Sequence, residues 1–452
     1  MLAFLSMTSF ALLLADSAVA VGLTQMARSL NAGLADAQWI FNAYTVSFAA
    51  VVLLAGSLAD AIGGRRVLNV GLLVFAAGSL AAAVAPTSSI LIAARVVQGV
   101  GAAFVTPAAL STVIRAYPPP RQAFALGVWA GVSTVALGIG PMVGAVVSQG
   151  LGWRWLFLIN VPIAAIALVA ALALLPGARG QGLRRFDLPG AATSAAGLAL
   201  LLFALSSIGA QVTSRQTMLV SLTVGFVFLV AFVFLERRAP APLLDLAILR
   251  RSNVAAGNAM ALLSTMLMCG VLVFMSMYLQ DTFRHSALTT GAALLALTLP
   301  LVLLAPVMSR LMRLMGRRWL IAVGLGVLAI GLAGLSVSAK GEEMGRLVVF
   351  LVVAGVGSGL SITPITSISV EAVEPRQAGL ASALLNTSRT IGLALGVSVM
   401  GAILNAQVST LSKNAADFAS GLATGFLAYA VLAAVTAVVA LVAVRGESAL
   451  RH

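Results

Sequence analysis

Two ionisable residues stand inside long apolar runs, where charge is costly. Asp16 lies in LLLADSAVAVGL, and Arg95 opens the run RVVQGVGAA. At the depth of a membrane span a guanidinium costs about 2.5–3.5 kcal/mol on insertion scales unless it meets water or a counter-charge. Asp16 is the one acid in the middle of an apolar run, so it is the candidate counter-charge for Arg95. Apolar surroundings raise the pKa of a carboxyl and a neighbouring cation lowers it. A carboxyl that alternates between the two settings takes up and releases a proton, and that is the chemistry expected of this pair. A buried structural ion pair is the alternative.

Other chemistries find no residues to carry them. A P-loop needs Gly-Lys-Ser/Thr, and the two lysines, Lys340 and Lys413, precede Gly and Asn. The histidines are His285 and His452, too far apart for an HExxH zinc site. The single cysteine, Cys269, excludes disulfides and CxxC motifs. The expectation is a protein that is not an enzyme and needs no cofactor or metal.

The elements that must position Asp16 and Arg95 follow from composition. Of 452 residues, 61% are hydrophobic and 9% charged, and the mean hydropathy is +1.08. Soluble proteins carry roughly 25% charged residues, and no soluble fold of this size hides so much apolar surface. In lipid the backbone must satisfy its own hydrogen bonds, which leaves helices or a closed barrel. The apolar runs are continuous, not ten-residue alternations, so a barrel is excluded. The fold class is therefore an all-α polytopic membrane protein.

Spans of about 20 apolar residues fall near 4–26, 38–59, 67–86, 89–114, 122–149, 154–176, 188–209, 216–236, 254–280, 288–311, 318–339, 346–370, 377–407 and 420–444. The first lacks a basic leader and a small-residue cleavage site, so it reads as a retained span. With a cytoplasmic N-terminus, the inner loops and C-terminus hold 18 of the 27 basic residues and the outer loops 7. That asymmetry places both ends in the cytoplasm and favours an even number of spans, here fourteen. The net charge of +14 thus reads as retention signals in loops, not as a stripe for nucleic acid.

The chain also repeats itself. SLADAIGGRRVL (57–68) aligns without gaps to SRLMRLMGRRWL (309–320), and Pro120-Arg-Gln-Ala123 returns as Pro375-Arg-Gln-Ala378. Offsets of 252 and 255 residues indicate two parallel six-helix halves. The two remaining spans then lie between them. The expected organisation is 1–176, a first six-helix half; 177–242, a linker with two extra helices; and 243–452, a second half. Residues 243–250 (LLDLAILR) read as a connector or a short surface helix.

Three motifs join these elements. Gly56, Asp60, Gly63, Arg65 and Arg66 lie at the end of span 2. An acid there can bind a neighbouring helix N-terminus and a nearby Arg, forming a latch that opens when the halves rock; the arginines serving topology alone is the alternative. Span 5 carries Gly138, Gly140, Pro141 and Gly144. Its four-residue glycine spacing permits close helix packing, and its proline frees a carbonyl. Asn386 and Arg389 share one face of span 13 at helical spacing.

These motifs closely resemble those of the major facilitator superfamily. The span 2–3 signature departs at Ala61 and Gly64, where basic residues are usual, and the second half has Met312 at the aligned place of Asp60. The resemblance implies a conformational latch there and a role in proton coupling for the Arg95 run. The start of span 1, the span 5 motif, the inserted pair and stretches such as Trp39–Tyr44, Trp153–Phe157, Tyr278–Gln280 and Asn386–Arg389 resemble the fourteen-span drug:proton antiporters. Val19–Leu23 lacks the Asn and Pro of that family's first span. The expected fold is the major facilitator fold, two six-helix halves plus two inserted helices, in a bacterial inner membrane.

The expected function is proton-coupled export of small lipophilic compounds by a monomer. The rival is a carrier for one metabolite, such as an amino acid, a sugar or a self-made antibiotic. Trp39, Asn42, Tyr44, Gln98, Trp129, Met275, Tyr278, Gln280, Asn386 and Arg389 are the candidate cavity lining. Some of the aromatics serve equally well as interface anchors. With Asp16 the one central acid, neutral or monocationic compounds are favoured, while Arg389 favours anions.

Overall fold

A computed structural model describes residues 2–117, 119–175, 187–210, 214–239, 248–249, 251–339, 341, 343–373, 378–407 and 415–444. Among these, fourteen helical segments are long and apolar enough to cross a membrane. In chain order the helices are α1 (Leu2–Ser29), α2 (Leu34–Ile62), α3 (Gly64–Ala83), α4 (Ser88–Ala116), α5 (Pro119–Gly150), α6 (Trp155–Leu158), α7 (Asn160–Leu174), α8 (Leu188–Ala210) and α9 (Arg215–Glu236). There follow α10 (Ser252–Met277), α11 (Ala287–Leu304), α12 (Met308–Met315), α13 (Arg317–Ser338), α14 (Met344–Val370), α15 (Ala378–Gln407) and α16 (Ala415–Ala443). Helices α6 and α7 form one span, interrupted at Ile159; α11 and α12 form another, joined by a 3₁₀ turn that Pro306 enters. Span nine ends in a π turn, Tyr278–Thr282. The segment 243–250 lies outside the described residues except for Ile248 and Leu249.

The chain divides into two compact units, Met1–Ser207 with Gln211–Leu244, and Ile208–Ala210 with Asp245–His452. Within the first, α1 packs on α5, α2 and α3 both pack on α4, and α3 packs on α7. Within the second, α10 packs on α15, α11 and α13 both pack on α14, and α13 packs on α16. The same partners recur in the same order, which is the repeat seen as packing. Even the internal prolines Pro107 of α4 and Pro364 of α14 stand in matching helices. The inserted α8 and α9 cross closely at Gly225, which faces the backbone of Leu201 and Gly197. Trp39 of α2 meets Phe203 of α8 at 5.3 Å between ring centroids.

The turn between α2 and α3 sharpens the repeat. Gly63 ends one helix and begins the next at φ +100°, and its N–H donates to the Ala59 carbonyl at 3.1 Å. Gly316 does the same between α12 and α13 at φ +75°, donating to Met312 at 3.0 Å. The turn therefore equates Gly63 with Gly316, whereas the gapless alignment paired Gly64 with Gly316. The helical position of Asp60 corresponds to Arg313, not to Met312.

A side chain at such a φ is strained by about 1–3 kcal/mol. Gly63→Ala should lower the thermal stability of the purified protein by that amount. Gly33→Ala, where φ is −80° and no atom lies within 4 Å of the added carbon, should leave it unchanged. Equal melting temperatures for both variants would show that the turn tolerates an ordinary residue.

Candidate functional site

Arg95 is fully buried, and the first unit has built a socket around it. Its Nε donates to the Ile40 carbonyl of α2 at 3.0 Å, and one terminal nitrogen donates to Gln98 Oε1 at 2.7 Å. The other donates to Asp16 Oδ1 of α1 at 3.2 Å. The Tyr44 ring lies under the guanidinium at 4.4 Å, a cation–π contact that also excludes water. Gln98 is held in turn, because its amide donates to Ser79 Oγ of α3 at 2.8 Å and Ser79 donates to the Phe75 carbonyl at 2.7 Å.

The sequence forces this local order. Arg95 and Gln98 are three apart on α4, so both reach one face. Tyr44 and Ile40 are four apart on α2 and present ring and carbonyl to that face. The consequence is an unequal division of support. Arg95 is anchored to α2 and α4 by two hydrogen bonds and a ring, whereas its tie to α1 is a single charge-assisted bond. Asp16 keeps a little surface, 8%, where Arg95 has none. The pair can part at the carboxylate without releasing the guanidinium.

The span 5 motif bears directly on Asp16. Gly140 and Gly144 of α5 lie against Ser17 and Ala18 of α1, the two residues after the acid. A carbon added at Gly144 would stand 2.5 Å from the Ala18 carbonyl oxygen and 2.8 Å from its Cα. Gly138 and Pro141 are buried in the same helix. Trp129, further along α5, donates its indole N–H to Ser9 Oγ of α1 at 2.8 Å.

The span 2–3 residues lie at the end of α2 and the start of α3. The Asp60 side chain lies outside the described residues. Arg65 donates to the carbonyls of Leu172 at 2.7 Å and Leu175 at 2.8 Å, so it closes the carboxyl end of α7. That end carries unsatisfied carbonyls and partial negative charge, a natural seat for an arginine. Arg66 is exposed, and Gly56 faces Pro107 at an ordinary 3.7 Å.

The candidate lining residues separate into groups. Tyr44 and Gln98 belong to the Arg95 socket. Asn42 donates to Ser206 Oγ of α8 at 3.3 Å, and with Trp39 it contacts the inserted helix. Met275 is fully buried, and the Tyr278 hydroxyl donates to the Ala339 carbonyl while its ring stacks on Phe418 at 6.2 Å. Tyr278 thus touches the end of α13 and the start of α16. Gln280 donates to Ser276 Oγ at 3.0 Å on its own turn. Arg389 and Asn386 are partly exposed on α15, and Arg389 donates to Thr366 Oγ1 of α14 at 2.6 Å. Ser79, Ile40 and Thr366 were missed in the sequence. A carbonyl leaves no signal there, and hydroxyls in apolar helices more often bond their own backbone.

Comparison with known proteins agrees with this architecture. The chain is 32% identical over 394 residues to the multidrug resistance protein Stp of Mycobacterium tuberculosis (strain CDC 1551 / Oshkosh), covering 86% of this chain and 73% of that one. It is 33% identical over 426 residues to the cephamycin export protein CmcT of Amycolatopsis lactamdurans, covering 92% and 88%. The tetracenomycin C resistance and export protein of Streptomyces glaucescens is 30% identical over 391 residues, covering 86% and 73%. In fold it resembles a solved POT family transporter in complex with a thioalcohol-conjugated peptide, with TM-score 0.71 and 14% identity over 98% of this chain and 95% of that one. The Major Facilitator Superfamily profile matches residues 5–242 and 254–451. Fourteen span-length helices, a doubled packing plan and that match together make the chain a multi-pass membrane transporter that belongs to the major facilitator superfamily.

Proposed function

We propose that this transporter exports small lipophilic compounds in exchange for protons across a bacterial inner membrane, as a monomer with both ends in the cytoplasm. The observation that carries the proposal is the divided support of the Asp16–Arg95 pair. When Asp16 is ionised, the charge-assisted bond to Arg95 holds α1 against α2 and α4. A proton arriving at the carboxylate removes its charge and weakens that bond. Arg95 stays in its socket, and α1 is freed to move. Loss of the proton on the other side restores the bond. Proton traffic is thereby tied to movement of the helix that α5 grips through Gly140 and Gly144.

Export is favoured by the relatives, whose names speak of resistance and export. Two of those names specify one antibiotic each, which supports the second reading, a carrier for a single self-made compound. Transport in proteoliposomes with an imposed pH gradient tests the main reading. Ethidium and a panel of antibiotics should accumulate against their gradients on the side from which protons flow. Uphill movement of one compound alone would select the dedicated carrier, and no pH-driven movement of any would reject proton exchange.

A further inference from the structure

Two arginines are embedded in the spans of this chain, and the fold treats them in opposite ways. Arg95 is given a carboxylate, a carbonyl, an amide oxygen and an aromatic face. Arg389 lies twelve residues into the thirty-residue α15. Its one hydrogen bond among the described residues runs to Thr366 Oγ1. The Thr366 hydroxyl proton is already given to the Ile362 carbonyl at 2.8 Å, so Thr366 acts purely as acceptor and fixes one edge of the guanidinium. A guanidinium has five N–H donors, and the described residues engage one of those of Arg389.

Among the described residues no carboxylate pairs with Arg389. The acids of the second unit are Asp245, Asp281, Glu342, Glu343, Glu371, Glu374, Asp417 and Glu447, and each stands at or beyond the end of its span. Among the described residues Arg389 has no ion-pair partner. Glu371, the nearest in sequence to Thr366, is engaged by Arg317 and by Ser367 Oγ. The polar groups beside Arg389 come from packed helices. Ser388 donates to Asn258 Oδ1 of α10 at 2.9 Å, and Asn386 is partly exposed one turn earlier. A charge at this depth is retained against a cost of a few kcal/mol, and no acid among the described residues neutralises it.

We infer that Arg389, steadied by Thr366, is the subsite that receives an anionic group of the cargo, a carboxylate taken by the open edge of the guanidinium. This deepens the export reading and rests on it for the direction of transport. It reverses the preference that Asp16 alone suggested, since the spare charge facing cargo in the second unit is positive. A planar fork suits a planar carboxylate through two parallel N–H···O bonds. The cargo class is then amphipathic organic acids: an apolar body with one carboxylate.

A matched pair of probes tests the subsite. N-Dansylglycine and its methyl ester share the dansyl body and differ in the carboxylate charge and one methyl group, and binding of each to the purified full chain in nanodiscs can be followed by dansyl fluorescence. The intact protein should bind the acid about tenfold more tightly than the ester, the value of one charge-assisted contact. Arg389→Gln should bring that ratio to about one, and Arg389→Lys, which keeps the charge without the fork, should fall between. Equal binding of acid and ester by the intact protein, or a preference that survives Arg389→Gln, would overturn the subsite. Movement of N-dansylglycine under a pH gradient in proteoliposomes judges the export reading separately: its failure beside a preserved acid preference in binding would remove proton exchange and leave Arg389 in place.

Discussion

Asp16→Asn should collapse pH-driven accumulation of cargo to simple equilibration while the protein still folds. Asparagine keeps an oxygen at the position of Oδ1 and can still accept from Arg95, so packing of α1 is preserved. It cannot take up a proton, so the two states of the bond described above become one. Coupling energies between sites typically amount to about 1–3 kcal/mol, or 5- to 150-fold, and that range sets the expected fall in the cargo ratio held by a pH gradient. Exchange of labelled for unlabelled cargo without a gradient should persist, because it needs movement but no proton. An Asp16→Asn protein that concentrates cargo as well as the parent would assign the pair to structure alone.

The second large effect is expected at Gly144. Its α-hydrogens face the backbone of Ala18, and an added carbon meets the carbonyl oxygen at 2.5 Å. Backbone cannot swing aside as a long side chain can, so Gly144→Ala must push α5 away from α1 at the turn after Asp16. Overpacking of this kind costs about 1–3 kcal/mol. Both melting temperature and transport should fall together. Gly131→Ala on the same helix adds the same carbon into open space and should do neither. If the two variants melt and transport alike, the close approach of α5 to α1 has no bearing on Asp16.

The fold was largely readable because lipid imposes it. Spans of uninterrupted apolar residues can only be helices, and loop arginines mark the breaks between them. Asp16 and Arg95 were readable as partners since each was the conspicuous charge in its own apolar run of the first half. What hydropathy does not show is which face meets which helix. Trp39 and Asn42 look like cavity residues in a sequence, but Phe203 and Ser206 of the inserted helix lie opposite them. Tyr278 sits beside a π turn, and a one-residue excess in a helix redirects side chains in a way hydropathy does not record. The Gly63 turn shows the same limit: identical letters favoured Gly64, and only the positive φ identified its partner in the repeat.

The socket around Arg95 has an electrical consequence. Because Nε and one terminal nitrogen are bound to α2 and α4, this positive charge does not cross the membrane field when α1 moves. Since the protein's own charges return to their places over a full cycle, the net charge translocated is that of the protons and the cargo alone. One proton exchanged for a neutral molecule moves a net unit charge, and a membrane voltage adds about 2.3 kcal/mol per 100 mV to the driving force. One proton exchanged for a monocation moves none, and voltage becomes irrelevant. For an organic anion leaving as a proton enters, two charges are displaced in the same electrical sense. The cell's voltage would then drive such a cargo out more strongly than any other.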